Sequence, residues 1–192
     1  MGATRARRDV ERNYQRVLEA AREVFGELGA AASVEEIAAR AEVGVGTVYR
    51  RFASKDALID ELLRLSMEAL LRAADEALAA PAADGLQQYL WATGEEFASH
   101  ARYADLLLTR SADPAGRARL RAAVEELTAR AVAAGTVAAD VTSADVMALI
   151  WAMRGLVQAT TDLPPDAWRR YLAIHLAGLQ VSVAVDGTTR GS

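Results

Sequence analysis

Between Gly46 and Phe52 the chain gathers a threonine, a tyrosine and two arginines in one short stretch, "GTVYRRF". The spacing predicts a short helix in which Val48 and Phe52, four residues apart, turn toward a core. Val45, Thr47, Arg50 and Arg51 are then left facing outward, with Tyr49 at the edge. Such a face suits a helix entering the major groove of DNA. Hydroxyl and phenol groups reach phosphates there, and a guanidinium reads guanine edges. Just beyond stands Lys55, the one lysine beside 21 arginines. In a chain so biased a solitary lysine invites an explanation, although its type alone assigns it no chemistry.

Other chemistries are poorly supplied. The chain has no cysteine, which removes disulfides, zinc–thiolate sites and thiol nucleophiles together. His100 and His175 are its only histidines and lie far apart, so no multi-histidine metal site is expected. No close histidine–carboxylate pair and no glycine-rich phosphate loop stands out, which argues against an enzyme. The first thirty residues are charged throughout, unlike a signal peptide. No apolar run reaches the roughly eighteen residues that a membrane span needs. The expectation is a soluble, cytoplasmic protein with no metal, no cofactor and no membrane contact.

The elements that must position these residues are helical. Alanine, leucine, arginine and glutamate dominate, and no alternating β-branched run marks a strand. Val17, Leu18, Ala21, Val24, Phe25 and Leu28 form one face of a helix over Arg12–Leu28, ended by Gly29. Ser33 and Glu36 have the spacing of a capping box opening a second, short helix with Val34, Ile37 and Ala38 inward. Ala38 is small where two short helices would cross, and Val43 would plug the turn between them. Three helices, the second and third joined by the tight turn "AEVG", describe a helix-turn-helix. Ser54 then caps a long helix reaching to Ala80, before Pro81. Later helices are expected near Gly85–Ser99, Arg102–Ser111, Pro114–Ala134, Ser143–Thr161 and Asp166–Val185. The fold class is therefore all-α, with a helix-turn-helix domain over residues 1–58, a helical domain over 59–185 and a disordered tail over 186–192.

Charge follows the same division. The net charge is −4, yet residues 1–58 hold ten cationic and nine acidic side chains, leaving −5 on the rest. Whole-chain acidity is a poor guide when only one small surface has to meet phosphate. The basic start, "TRARR", reads equally as a flexible arm on DNA or as a solvated tail.

The run "IAARAEVGVGTVYRRFASKDALIDELL" resembles the N-terminal domain of the TetR family of bacterial transcriptional regulators, position by position, across Arg12–Leu63. The resemblance implies a dimer that grips a palindromic operator in double-stranded DNA and responds to a small-molecule effector. It also implies roles for single residues. Lys55 takes the position of a phosphate ligand at a helix N-terminus, where free N–H groups already favour an anion. Thr47 and Tyr49 match phosphate contacts, Val45, Gly46 and Arg50 match positions that approach bases, and Arg51 matches one that touches phosphate or a base. Ser33 matches a phosphate contact too, and a purely structural cap is an equal reading. Two departures stand out. Glu42 occupies a turn position where glycine is usual, which predicts strain, and Gly44 replaces a frequent serine.

The acidic remainder carries no comparable motif. Its role in effector binding and dimerisation is implied by the family alone, with the long Lys55–Ala80 helix as the lever between the two functions. Candidate pocket residues are Trp91, Phe97, His100, Tyr103, Leu107, Met147, Trp151, Arg154 and Gln158, all of which read as well as core. Arg154 stands in an otherwise apolar helix and needs a partner: a carboxylate of the protein first, an acidic ligand second. On the last helix Trp168, Leu172, His175, Leu179 and Ser182 line one face, and Tyr171, Ile174 and Gly178 another. The first four are taken as the dimer interface. Gly155, Ala159 and Gly178 would permit close helix approach there. The expected function is a repressor released by its effector; an activator or an effector-independent regulator of the same fold is the alternative. A sequence-tolerant architectural binder fits the acidic half poorly, because non-specific binding rests on phosphate neutralisation.

Overall fold

The computed structural model describes residues 2–99, 113–158 and 163–180, with side chains from Asp9 onward. Eight α-helices follow one another among these residues, with no strand: α1 Gly2–Leu28, α2 Val34–Arg40, α3 Val45–Arg51, α4 Lys55–Ala79, α5 Gly85–Ser99, α6 Pro114–Ala133, α7 Ser143–Gln158 and α8 Ala167–Gly178. A single 3₁₀ turn, Gly29–Ala31, follows α1. The helix expected over Arg102–Ser111, the ends of two others and the tail over 186–192 lie outside the described residues.

Two compact units divide the chain, one of residues 1–69 with 96–116 and one of residues 70–95 with 117–192. The boundary falls within α4, eleven residues beyond the expected division after Leu58. The reason is packing. Leu58, Ile59 and Leu62 of α4 are buried in the same cluster as Val17, Leu18, Val24 and Phe25 of α1 and Ile37 of α2. The first turns of the long helix therefore belong to the core of the first unit.

In that unit α1 starts ten residues earlier than its apolar stripe suggests. Ala, Arg and Glu are strong helix formers, and nothing between Gly2 and Arg12 breaks a helix. The basic start thus continues α1 and is not a flexible arm. Ser33 caps α2 with a complete capping box: its hydroxyl accepts from the Glu36 amide at 3.2 Å, and its own amide donates to Glu36 Oε2 at 2.8 Å. The turn into α3 runs through Glu42 at φ +53, a left-handed conformation that costs a residue with a Cβ. Arg16 of α1 donates to its carboxylate at 2.5 Å and ties the strained turn down.

The second unit is built on close helix approaches. Gly85 lies against the backbone of Ala77, where a Cβ would come within 2.5 Å of the carbonyl oxygen. Arg130 of α6 donates to the Leu78 and Ala80 carbonyls at 2.5 and 2.9 Å and so satisfies the C-terminal end of α4. Trp168 of α8 is buried against Gly94 of α5, and a Cβ at Gly94 would lie 2.2 Å from its ring. Val146, Leu149, Ile150, Met153 and Val157 give α7 its buried face.

Candidate nucleic-acid interface

α3 is only seven residues long, and its two faces are chemically distinct. Gly44 is its N-cap in extended conformation, with the Thr47 amide donating to the Gly44 carbonyl at 2.7 Å. Val48 is buried inward, and Phe52, just past the end, is buried beside it. Gly46, Tyr49, Arg50 and Arg51 are exposed, and Thr47 is half-exposed. Val45 departs from expectation. It is half-buried and packs against the core of the unit, because the helix begins at Val45 and its first turn is drawn in beside Val43.

Arg50 lies along its own helix. Its Nε donates to the Gly46 carbonyl at 3.2 Å and its Nη2 to Thr47 Oγ1 at 3.0 Å. Both bonds are solvent-exposed and weak in net terms, so the guanidinium can leave them for a base edge at small cost. The Tyr49 hydroxyl lies 3.5 Å from Glu35 Oε1 of α2, a marginal bond that leaves the phenol free to turn.

Arg51 is arranged differently. Its guanidinium sits 4.7 Å over the ring of Tyr14 on α1. The same ring stacks on Phe52, centroids 6.1 Å apart. The Tyr14 hydroxyl donates to Glu61 of α4, and Arg64 grips both oxygens of that carboxylate at 2.8 Å. Glu61 is held down to about 2, first by the Arg64 hydrogen bonds against the opposing effect of burial, then by the Tyr14 hydroxyl and the nearby charges of Arg64 and Arg51. Burial and the Glu61 bond push the Tyr14 phenol up in turn.

The N-termini of α4 and α2 lie in the same unit. At α4, Ser54 Oγ accepts from the Ala57 amide at 3.1 Å, as its sequence position implies. Lys55 opens that helix, but its ammonium is engaged. It donates to the Ala30 carbonyl at 2.7 Å and to the Ala32 carbonyl at 3.1 Å. Of its three N–H donors one remains for an anion. At α2 the Ser33 hydroxyl also donates to Glu36 Oε2, at 2.7 Å, so it is fully used by the cap. That bond holds the Glu36 carboxyl below its ordinary range. A carboxylate beside the Ser33 hydroxyl opposes a phosphate there, which favours the cap over the DNA contact.

Of the residues singled out in the acidic half, Trp91 tilts against Trp168 at 5.8 Å within the second unit. Met147 is half-buried, while Trp151 is 59% exposed, with the Arg154 guanidinium 5.7 Å over its ring. Burial lowers the Arg154 pKa. Gln158 Nε2 is buried and finds no hydrogen-bond partner among the described residues. Phe97 is half-buried in α5, and His100, Tyr103 and Leu107 lie outside the described residues. Of the four residues expected at the dimer face, His175 is exposed and Leu179 half-buried. Trp168 and Leu172 are 2% and 0% exposed, packed in the protomer's own core, and have no surface to offer a partner. On the opposite face of α8, Ile174 is 54% exposed and Gly178 is exposed. Sequence reasoning also missed Tyr14, Arg16 and Glu61, whose contacts with the turn and α3 span long stretches of chain without a local signal.

Among the described residues no helix is long and apolar enough to cross a membrane, and no group of three or more metal-binding side chains is brought together. Residues 17–62 match the family profile described as bacterial regulatory proteins, tetR family. Residues 80–181 match the C-terminal domain described as transcriptional regulator SbtR-like. A TetR transcription regulatory protein from Mycobacterium vanbaalenii is 31% identical, with 92% of this chain and 99% of that chain covered at a TM-score of 0.66. A TetR transcriptional regulator from Streptomyces coelicolor is 29% identical, covering 86% of this chain and 97% of its own, TM-score 0.64. The ketosteroid transcriptional regulator KstR2 of Mycobacterium tuberculosis shares the fold at 23% identity, with coverage of 86% and 94% and a TM-score of 0.65. No curated protein matches the chain.

Proposed function

The chain belongs to the TetR family of bacterial regulatory proteins, DNA-binding transcriptional regulators and not enzymes, and from that premise we propose that it is a repressor, working in the cytoplasm, that binds a palindromic operator as a homodimer and is released by a small-molecule effector. The observation that carries this reading is the division of α3. Val48 and Phe52 fasten it to the core, and Gly46, Thr47, Tyr49 and Arg50 are left at an open surface. In the proposed complex Arg50 extends from its resting bonds to a base edge, and Gly46 lets the backbone approach the groove. Thr47 and Tyr49 hold phosphates. Lys55 offers its third N–H to a phosphate beside the N-terminus of α4. Two copies would set two such helices about one helical turn of DNA apart.

The dimer surface we propose is the open side of α7 and α8, centred on Trp151 and Ile174. Two exposed apolar side chains of this size, with Gly155 and Gly178 for close approach, suit a helix-to-helix contact between copies. The effector would bind in the second unit and act by differential affinity for two conformations. α4, with residues in both units, is the covalent element through which such a preference can reach α3.

Selection of bound fragments from a random DNA pool at physiological salt tests the reading. An enriched palindrome with half-sites one helical turn apart supports it. Binding without enrichment would reject an operator-specific reader.

A further inference from the structure

We propose that Tyr14 and Glu61 are positioning residues for the recognition helix, holding Arg51 against α1 so that Arg51 sets operator affinity from within the domain and not by touching DNA. The inference rests on the reading of α3 as the DNA-reading helix. It starts from how little fixes that helix. α3 buries one side chain, Val48, and its last amide bond to a core residue runs from Phe52 to the Val48 carbonyl at 2.8 Å. A seven-residue helix pinned mainly along one inward line is free to rock about its own axis unless a second point holds it. Arg51 supplies that point at the C-terminal end.

The second point is built from three helices. Glu61 of α4 is locked by Arg64, which bonds both its oxygens at 2.8 Å and also donates to Glu68. The locked carboxylate accepts from the Tyr14 hydroxyl and so fixes the ring on α1. That ring receives the Arg51 guanidinium on its face, centroid distance 4.7 Å, while also stacking on Phe52. The Glu61 charge attracts Arg51 as well. A guanidinium seated on a ring must leave it to lie against a phosphate. Arg50, one residue earlier, meets only its own helix and is free to extend. The structure thus gives two adjacent arginines opposite tasks.

Operator and random-sequence DNA affinities, measured across salt for four full-length variants, test this. Arg51→Ala should lose operator affinity roughly tenfold for a dimer, from one cation–π contact in each protomer, with the salt slope unchanged. Tyr14→Leu should lose as much, and the double variant no more than either alone. Tyr14→Phe keeps the ring but cuts its tie to Glu61, so its affinity should fall between those of the parent and Tyr14→Leu. A salt slope lower by about one per protomer in Arg51→Ala, additive losses, or a Tyr14→Phe as weak as Tyr14→Leu would each overturn the proposal. Amide hydrogen exchange reads the same contact without DNA. The Arg51 and Phe52 amides should exchange faster in Arg51→Ala and Tyr14→Leu, and by a smaller factor in Tyr14→Phe; parent rates in every variant overturn it. If the parent protein binds no DNA, the reading of α3 fails, and exchange still decides the role of Tyr14.

Discussion

Lys55, proposed to meet a phosphate, also ties the fold together. Its ammonium bonds the Ala30 and Ala32 carbonyls at the end of the 3₁₀ turn, and so links the exit of α1 to the entry of α4. A pure phosphate ligand would be expendable for folding. Lys55→Met should instead lower stability by about 1–2 kcal/mol, because two carbonyls lose a charged donor. It should also reduce the salt slope of DNA binding by about one per protomer. Urea unfolding and binding titrations check both arms. Glu61 makes a second residue-scale prediction. Its pKa is depressed in the folded state to about 2, so its contribution to stability is present above the unfolded value and lost as pH falls toward 2. Stability should be level near neutrality and fall below about pH 4.5, and Glu61→Gln should flatten part of that fall. A parent and variant with superimposable acid limbs would contradict the assignment. Lys55 was legible as an exception in an arginine-rich chain. Its carbonyl partners were not, because nothing in the spacing says where a loop 25 residues earlier comes to rest.

Elements were legible wherever one face alone is apolar. α1, α2 and the inner side of α3 were readable from periodicity, and Ser33 with Glu36 marked a helix start that the structure bears out as a capping box. Glu42 was expected to strain its turn and takes a positive φ. Two kinds of element misled. The start of α1 has no apolar stripe, so periodicity set it at Arg12, whereas helix propensity carries it to Gly2. α8 has two apolar faces, and period alone cannot say which is core. The missing clue lay in α5, where Gly94 leaves a slot for one large ring and Trp168 fills it. Gly94→Ala should therefore be costly despite a helix-favouring change, by about 1–3 kcal/mol or more, since the added methyl overlaps a buried indole that has nowhere to go. Thermal unfolding would show it, and an unchanged midpoint would mean the helices do not approach as described.

At the scale of the whole molecule the division of labour is visible in charge alone: a near-neutral first third and an acidic remainder. What sequence left open was which apolar side chains stay at the surface: Trp151 was a candidate for pocket or core, Ile174 stood on one of two apolar faces of the last helix, and both are exposed in the chain alone. Ile174→Glu should shift the protein from dimer to monomer in sedimentation at micromolar concentration and weaken operator binding, while leaving the fold intact, since the side chain faces outward. A variant that stays dimeric would move the interface elsewhere. The central claim, that α3 reads sequence through Arg50, is tested most directly by titrating the parent and Arg50→Ala against operator and random-sequence DNA at the same salt. The arginine should matter on operator alone, at about 1–3 kcal/mol per half-site, with random-sequence affinity nearly unchanged. Equal losses on both DNAs would make Arg50 a backbone contact and leave α3 without its reader.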